Sequence, residues 1–563
     1  MTVSSLQQVA ARRFSRRGLL RLTAGVTFSA IAGSSLLAAC GGDDDASSPA
    51  SGTGADVSPT GSTTSAAPTA TTDPDAARRG GTLRVALTGD LPNLDVHQTA
   101  DSIVVLVGSH IYETLFTWDA DYRAVPLLAA TYEVSEDALV HRVALREGVT
   151  FHNGEPLQAA DVIASIDRWS KISGLGEDLL AVTDEIVEID PLTVEFRLTE
   201  PFGVFAMALS RQLQGCAIYP KSVLDASTET DLTEHIGTGP YKLVEWKPDQ
   251  HVLLARNDEY ANPEGAPDGY AGSKAQHFDE IEFVPVPNEA SRIAGMRAGD
   301  YHYVETASPD QLPGLEGNTT LAVDTLPADA WMNIVLNLRS PVFDDLSVRR
   351  AVQVALDHAA IMQAAVGDGF YELTPELVPG APTWYSDVGI EFFNVNDPAE
   401  AERLLEKAGY DGAPLRIMTT QEVQQEYNAT LTMAQQLEAV GFNVDLQVYD
   451  GATLSDRRDD ETVWEMYTAS ASFRPDPVMR NLSASATGWW ENEEKDELLN
   501  QLQTESDYDA RFALWEQVQQ AFYEDVPRLK IGNMNRILVR SAQLHDIGPT
   551  EMQPEFANAW LEE

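Results

Sequence analysis

The chain has 563 residues, with 38 Lys and Arg against 87 Asp and Glu, a net charge of −49. That acidity excludes direct contact with a nucleic acid or an anionic bilayer surface, both held through basic side chains. The length exceeds what one hydrophobic core usually holds, so two or three sub-domains are expected.

The N-terminal stretch SRRGLLR (Ser15–Arg21) precedes a weakly apolar run and then LLAACGG (Leu37–Gly42). The run is too short and too rich in Ala, Gly, Ser and Thr for a spanning helix. A basic start, a modest apolar middle and a small-residue exit describe a secretory signal over residues 1–39. The arginine pair resembles a twin-arginine (Tat) signal. Leu37–Cys40 resembles a bacterial lipobox, in which Cys40 is acylated. Residues 40–80 are dominated by Asp, Ser, Thr, Ala, Pro and Gly, with almost no large apolar side chain; they cannot bury enough surface to order themselves and are expected to form an acylated, disordered linker. With Cys40 carrying lipid, Cys216 remains alone: no internal disulfide is expected, and in QLQGCAIYP it reads as a small buried hydrophobe.

The body opens with a strand in GTLRVAL (Gly81–Leu87) and a loop through Asn93. A helical stretch follows through Ile111–Phe116. Asn153-Gly154 marks a turn, and Leu157–Trp169 places Val162, Ile163, Ile166 and Trp169 on one helical face. GTGP (Gly237–Pro240) is a structural turn, because Pro240 removes a donor that a phosphate cradle needs. Further on, Val348, Val352, Ala355, Ala359 and Met362 recur at helical spacing behind acidic residues. A helix over residues 398–408 is capped by Asp397, with Pro398 in its first turn, Glu400 completing a capping-box-like pattern and Gly409 ending it. Leu415–Thr420, a helix through Tyr427–Val440 and the alternating Phe442–Val448 form a βαβ unit, so a parallel pair is expected. A strand over Val463–Ser472 ends in FRPDP. The body is α/β with at least two lobes.

No nucleophile elbow, zinc-binding His pair, Cys pair or P-loop lysine occurs, and the ten His are scattered. The chain therefore reads as a non-enzyme with no cofactor and no metal. In open α/β sheets ligands lie beyond the carboxyl ends of strands. The candidate ligand residues are accordingly Asn93, then Thr419, Thr420 and Gln421, then Ser472, Phe473 and Arg474. Asp476 completes the last group as a candidate ligand residue, its main reading being a turn or cap residue, and Trp489-Trp490 reads as packing.

Several segments in order resemble the family 5 extracellular solute-binding proteins, the peptide/nickel class serving ABC importers. They are the run from Leu128 to Trp169, GTGPYKLVEW, ARNDEY, ASRIAGMRAGDYHYVE, NLRSPVFDDLSVRRAVQVALD, DPAEAERLLEKAGYDG, AQQLEAVGFNVDLQV and DARFALWEQVQQAFYEDVPRLKI. The resemblance implies a two-lobed (type II) clamshell with an extra sub-domain. Lobe I would comprise 81–115, 236–325 and 532–563, the extra sub-domain 116–235 and lobe II 326–531. It further implies a monomeric, lipid-anchored protein of the periplasm or cell surface that captures a peptide or related solute and delivers it to permease subunits. The alternatives are an exported ligand sensor or chaperone-like binder, and an exported hydrolase. In peptide-binding relatives an Asp four residues before the Pro of an acidic-Pro pair holds the peptide ammonium. Phe473 stands there in this chain, and Thr420-Gln421 occupy the region of the carboxylate-binding Arg of dipeptide binders. Arg474 offers a substitute that would pair with an anionic group.

Overall fold

The structure is a computed structural model that describes residues 78–562 apart from 211–212, 316 and 549–552. The expected signal segment, Cys40 and the linker up to residue 77 lie outside the described residues.

β1 (Thr82–Leu87) buries Leu83, Val85 and Leu87 completely, the alternation of a strand with one face in a core. The helix expected at Ile111–Phe116 lies earlier. α1 (Ser102–Gly108) starts at Asp101, whose carboxylate accepts the Ile103 N–H at 3.1 Å. Its residues Ile103–Gly108 are all buried, so no polar face marks it as a helix. Phe116 instead opens a hairpin of β2 (Phe116–Trp118) and β3 (Ala124–Pro126).

β4 (Ala129–Val134), β5 (Val140–Leu145), β6 (Thr183–Asp190) and β7 (Thr193–Leu198) form a separate antiparallel sheet in the order β4-β5-β7-β6. α2 (Ala159–Trp169) lays Val162, Ile166 and Trp169 against it, with Phe151, Phe196 and Phe205 in the same core. α3 (Gly174–Ala181) follows α2. Asn153-Gly154 makes the anticipated turn, with Gly154 at φ +85° and its N–H donating to the Phe151 carbonyl at 2.8 Å. Cys216 is buried in this core, and burial pushes its thiol far up from the usual range. The GTGP stretch is a close approach of backbones: a Cβ on Gly237 would sit 2.0 Å from the Ile111 carbonyl.

The rest of the chain returns to the sheet that β1 begins. β8 (Tyr241–Lys247), β9 (His251–Arg256), β10 (Glu280–Pro285), α4 (Glu289–Ala298) and β11 (Tyr303–Val304) precede the long β12 (Leu321–Leu336). Then come α5 (Leu346–Ala355), α6 (His358–Val366), β13 (Tyr371–Glu372), α7 (Pro398–Ala408), β14 (Pro414–Thr420), α8 (Gln424–Ala439), β15 (Asn443–Tyr449) and β16 (Met466–Ser472). α9 (Glu493–Thr504), α10 (Tyr508–Asp525) and β17 (Arg528–Ser541) follow, with a short strand pair, Leu544–His545 and Trp560–Leu561, after them.

The helical spacing read across Val348–Met362 belongs to two helices. The chain breaks at Leu356-Asp357, where the Asp357 carboxylate caps α6 by accepting the Ala360 N–H at 3.0 Å. α7 follows its sequence pattern closely: Asp397 accepts the Glu400 N–H at 3.0 Å and Gly409 closes the helix in the left-handed region. Glu400, expected to complete a capping box, ion-pairs instead with Arg403 one turn on. β14, α8 and β15 form the βαβ unit, with β14 and β15 parallel from Pro414/Asn443 to Thr420/Tyr449.

The strand order β15-β14-β16-β12-β17-β11-β1-β10-β9-β8 divides into two lobes sharing β12 and β17. One lobe packs around Leu83, Leu106, Leu254 and Phe283, the other around Ile334, Val352, Leu405, Ile417 and Leu437. β12 and β17 pair from Leu321/Ser541 to Leu326/Arg536 in the first lobe and resume at Ala330/Met534 in the second. Between them Pro327, Ala328 and Asp329 bulge opposite Asn535. Ala328 sits at φ +54°, and its N–H is taken by the Asn535 side chain at 3.2 Å.

Of the five histidines buried among the described residues, two are shifted far. Burial pulls His97 down to about 4 and His358 down to about 3. Below pH 6.5 the unfolded chain takes up protons that the folded chain refuses, so stability falls as pH drops from 6.5 toward 4. Each His contributes on the order of 3 kcal/mol across that window. Thermal unfolding followed from pH 7 to pH 4 should show the decline, and His358→Phe should make it shallower.

Candidate functional site

The carboxyl ends of β10 and β11 in one lobe and of β14 in the other open onto a cavity of about 620 Å³, within the usual range for small solutes. The first lobe contributes Glu289 and Arg292 from the start of α4 and Thr306–Asp310 after β11. The second contributes Gln424, Gln425 and Asn428 from the first turns of α8, with the end of α6. The floor is the bulge itself, Asp329-Ala330 and Met534–Ile537.

Arg536 ties this floor together. Its guanidinium ion-pairs with Glu305 at 3.0 Å and with Asp329 at 3.1 Å, joining the end of β11 to the bulge. Burial raises the Glu305 carboxyl, opposed mainly by the Arg536 charge. Arg292 is buried, donating to the Val286 and Pro287 carbonyls at 2.8 and 2.9 Å, and burial lowers its pKa. Its Nε is left without a partner. The lining is thus rich in amide and charged groups, suited to a polar solute.

A second feature lies on β16. β14 pairs with it only at Met466 and Tyr467, so Thr468–Ser472 is paired with β12 on one side and with no strand on the other. On the open side the Ser470 N–H donates to Glu426 Oε1 at 2.8 Å, and burial raises the Glu426 carboxyl. Beyond the strand end, Phe473 meets Tyr122 of the β2–β3 hairpin with ring centroids 4.8 Å apart. This contact bridges the second lobe and the hairpin.

The residues singled out from the sequence are scattered among these features. Asn93 holds its own loop, its side chain accepting the Asp95 N–H at 3.0 Å, and lines none of the inter-lobe cavities. The buried group of that loop is Asp95, which takes Arg168 through both oxygens and the Tyr219 hydroxyl at 3.1 Å. Thr419 is buried in a hydroxyl network with Thr430, and Thr420 accepts the Glu422 N–H at 3.2 Å. Gln421 and Ser472 are exposed, and the Ser472 carbonyl accepts from Arg480 at 3.0 Å. Phe473 is buried, and Arg474 lines a separate cavity. Asp476 caps the short helix that follows by accepting the Val478 N–H, and binds Arg511 at 2.8 and 2.9 Å in a buried pair. Trp490 is buried and donates to Asp525 at 2.8 Å, while Trp489 leans on Trp464. Gln425, Asn428 and Arg292 went unrecognised. The first two lie within two helical turns of the strand end that was recognised. Among the described residues no group of three or more His, Cys, Asp or Glu side chains converges as a metal site.

The profile of the family described as bacterial extracellular solute-binding proteins, family 5 Middle, matches residues 123–492. The probable peptide ABC transporter periplasmic-binding protein y4tO of Sinorhizobium fredii is 26% identical over 473 residues, 80% of this chain and 88% of its own length. The substrate-binding protein CtaP of Listeria monocytogenes superposes with a TM-score of 0.75 at 21% identity, covering 86% of this chain and all of the other. The periplasmic binding protein DppA of Helicobacter pylori, in complex with the peptide STSA, superposes with a TM-score of 0.71 at 22% identity over 87% of this chain and 99% of its own. The chain belongs to the family 5 bacterial extracellular solute-binding proteins, the solute receptors of ABC importers.

Proposed function

We propose that the protein is a lipid-tethered extracytoplasmic receptor that captures peptides, or a peptide-like solute, between its lobes and hands them to an ABC permease. One observation carries this: a polar cavity lies between two lobes that share the strands β12 and β17, so a solute touching both walls favours the closed arrangement. The unpaired edge at Thr468–Ser472 adds support, because an extended backbone pairs with such an edge through main-chain hydrogen bonds. The peptide class follows the names of the relative y4tO and of the peptide-bound DppA. In this reading lobe I is 81–115, 236–325 and 532–563, the extra sub-domain 116–235 and lobe II 326–531. Acylation at Cys40 with a leash to residue 80 lets the body float clear of the membrane.

Calorimetry against di- to pentapeptides tests the capture. Gln425→Ala, in the cleft and exposed, should weaken binding roughly 2- to 13-fold, one hydrogen bond's worth, with little change in melting temperature. Asp476→Ala should do the opposite: it strands Arg511, costs about 3–5 kcal/mol of stability and leaves affinity nearly intact in the protein that still folds. Equal affinities for Gln425→Ala and the parent would remove this cavity as the site. Cys40→Ser should move the protein from the membrane fraction to the soluble fraction, and retention of the variant on membranes would refute acylation there.

A further inference from the structure

The loop after β16 gathers positive charge with little to balance it. Arg474 donates to the Phe473 carbonyl at 3.2 Å, and Arg480 to the carbonyls of Ser472 at 3.0 Å and Arg474 at 3.5 Å. Neither has a carboxylate within 4.0 Å among the described residues, and Arg480, 9% exposed, leaves its Nε without a partner. Lys530, fully out of solvent beside them, has the Glu376 carboxylate at 3.7 Å. Burial lowers Arg474, lowers Arg480 to about 9 with Arg474 adding to the effect, and lowers Lys530 to about 7. In a chain with 87 acidic side chains, two adjacent guanidiniums lacking an acid partner are a costly arrangement, several kcal/mol per unpaired ion.

Arg474 opens onto a cavity of about 950 Å³ between the second lobe and the four-stranded-sheet region. The opposite wall is the start of α3, Ser173, Gly174 and Leu175, where the Ser173 side chain makes no cap bond and the N–H groups of the first turn bring positive partial charge. Gln214, Asn481 and Asn500 supply neutral donors. Glu177, in the first turn of α3 itself, Asp178 and Asp496 also line this cavity and offset the charge of the helix start, so the seat for an anion is the Arg474 guanidinium.

We infer that Arg474, backed by Arg480, seats an anionic group, carboxylate or phosphate, of a captured solute that extends from the 620 Å³ cavity along the Thr468–Ser472 edge. This rests on the solute-capture reading above and names the chemistry it selects. An anion there touches the second lobe and the region opposite at once, so it also favours closure.

The test uses the mature protein with Arg474→Gln and Arg480→Met. Melting temperature is followed with inorganic phosphate, with citrate and with chloride at equal ionic strength. Native mass spectrometry then reads binding from a casein hydrolysate before and after methyl esterification of its carboxyl groups. Phosphate or citrate should raise the melting temperature of the parent above the chloride control, with apparent affinity at least 10-fold weaker in either variant. Esterification should abolish peptide capture if the group is a carboxylate; protection by phosphate alone, with esterification harmless, identifies a phosphate. Without added anion Arg480→Met should melt no lower than the parent, which a purely structural arginine would not allow. Hydrolysate peptides binding equally before and after esterification, with no protection by either anion, would overturn this inference and leave solute capture standing. Arginine-dependent anion protection without any peptide capture would uphold the inference and overturn the peptide reading. Silence in both assays, or protection that persists in both variants, overturns the inference.

Discussion

β12 and β17 run antiparallel through both lobes; their ladder slips by one residue inside the second lobe, at Ile531, and is interrupted between the lobes, where Pro327–Asp329 stand opposite Asn535. Backbone hydrogen bonds resist separation of such a pair but resist twisting weakly, so the interruption is where rotation costs least. The flanking pieces of ladder belong to different cores, each with its own close-packed apolar cluster. Pro327 withdraws a donor at this point and Ala328 takes a left-handed conformation, stored strain that a hinge can redistribute. Arg536 limits the freedom: its two carboxylate partners are Glu305, just after β11, and Asp329, within the bulge itself.

Charge acts at two scales. The net charge of −49 keeps partners that are polyanions away, yet the inter-lobe region holds several of the most deeply buried cations in the described chain. Some are settled by acids: Arg168 with Asp95, Arg511 with Asp476, Lys274 with Glu555. The first two fasten a loop to a helix, Arg168–Asp95 linking the extra sub-domain to lobe I, and the third joins two loops. Arg292, Arg474 and Arg480 rest on carbonyl oxygens instead, which accept a hydrogen bond without cancelling the charge. A receptor for a charged solute uses cations of the second kind.

Much of this was legible in the sequence where punctuation is local. Asp397, Pro398 and Gly409 mark α7 within a dozen residues, and strand, helix and strand from Pro414 to Tyr449 follow in order with clear periods. α1 was misplaced because its apolar run is buried all round, leaving no amphipathic signal. The break at Leu356-Asp357 was hidden because the two helices continue one another's spacing, and Asp357 shows itself as a cap only through its bond to Ala360. At the site, the strand-end rule located the right loops but not the right atoms. Thr419 turns inward because Thr430, a helix away, receives it, and Asp476 is claimed by Arg511, thirty-five residues on. Partners so distant leave no local trace. Phe473, a candidate ligand residue from its place after the strand, is met by Tyr122 of a hairpin far earlier in the chain.

The most direct measurement of hinge motion places nitroxide labels at Val244 on β8 and Val448 on β15, exposed positions on the two end strands of the sheet. Pulsed electron resonance then gives their separation with and without the peptides that bind in calorimetry. A distribution that narrows and shifts to shorter distance on binding is the predicted result. Identical distributions in both states would contradict a receptor that closes about β12 and β17.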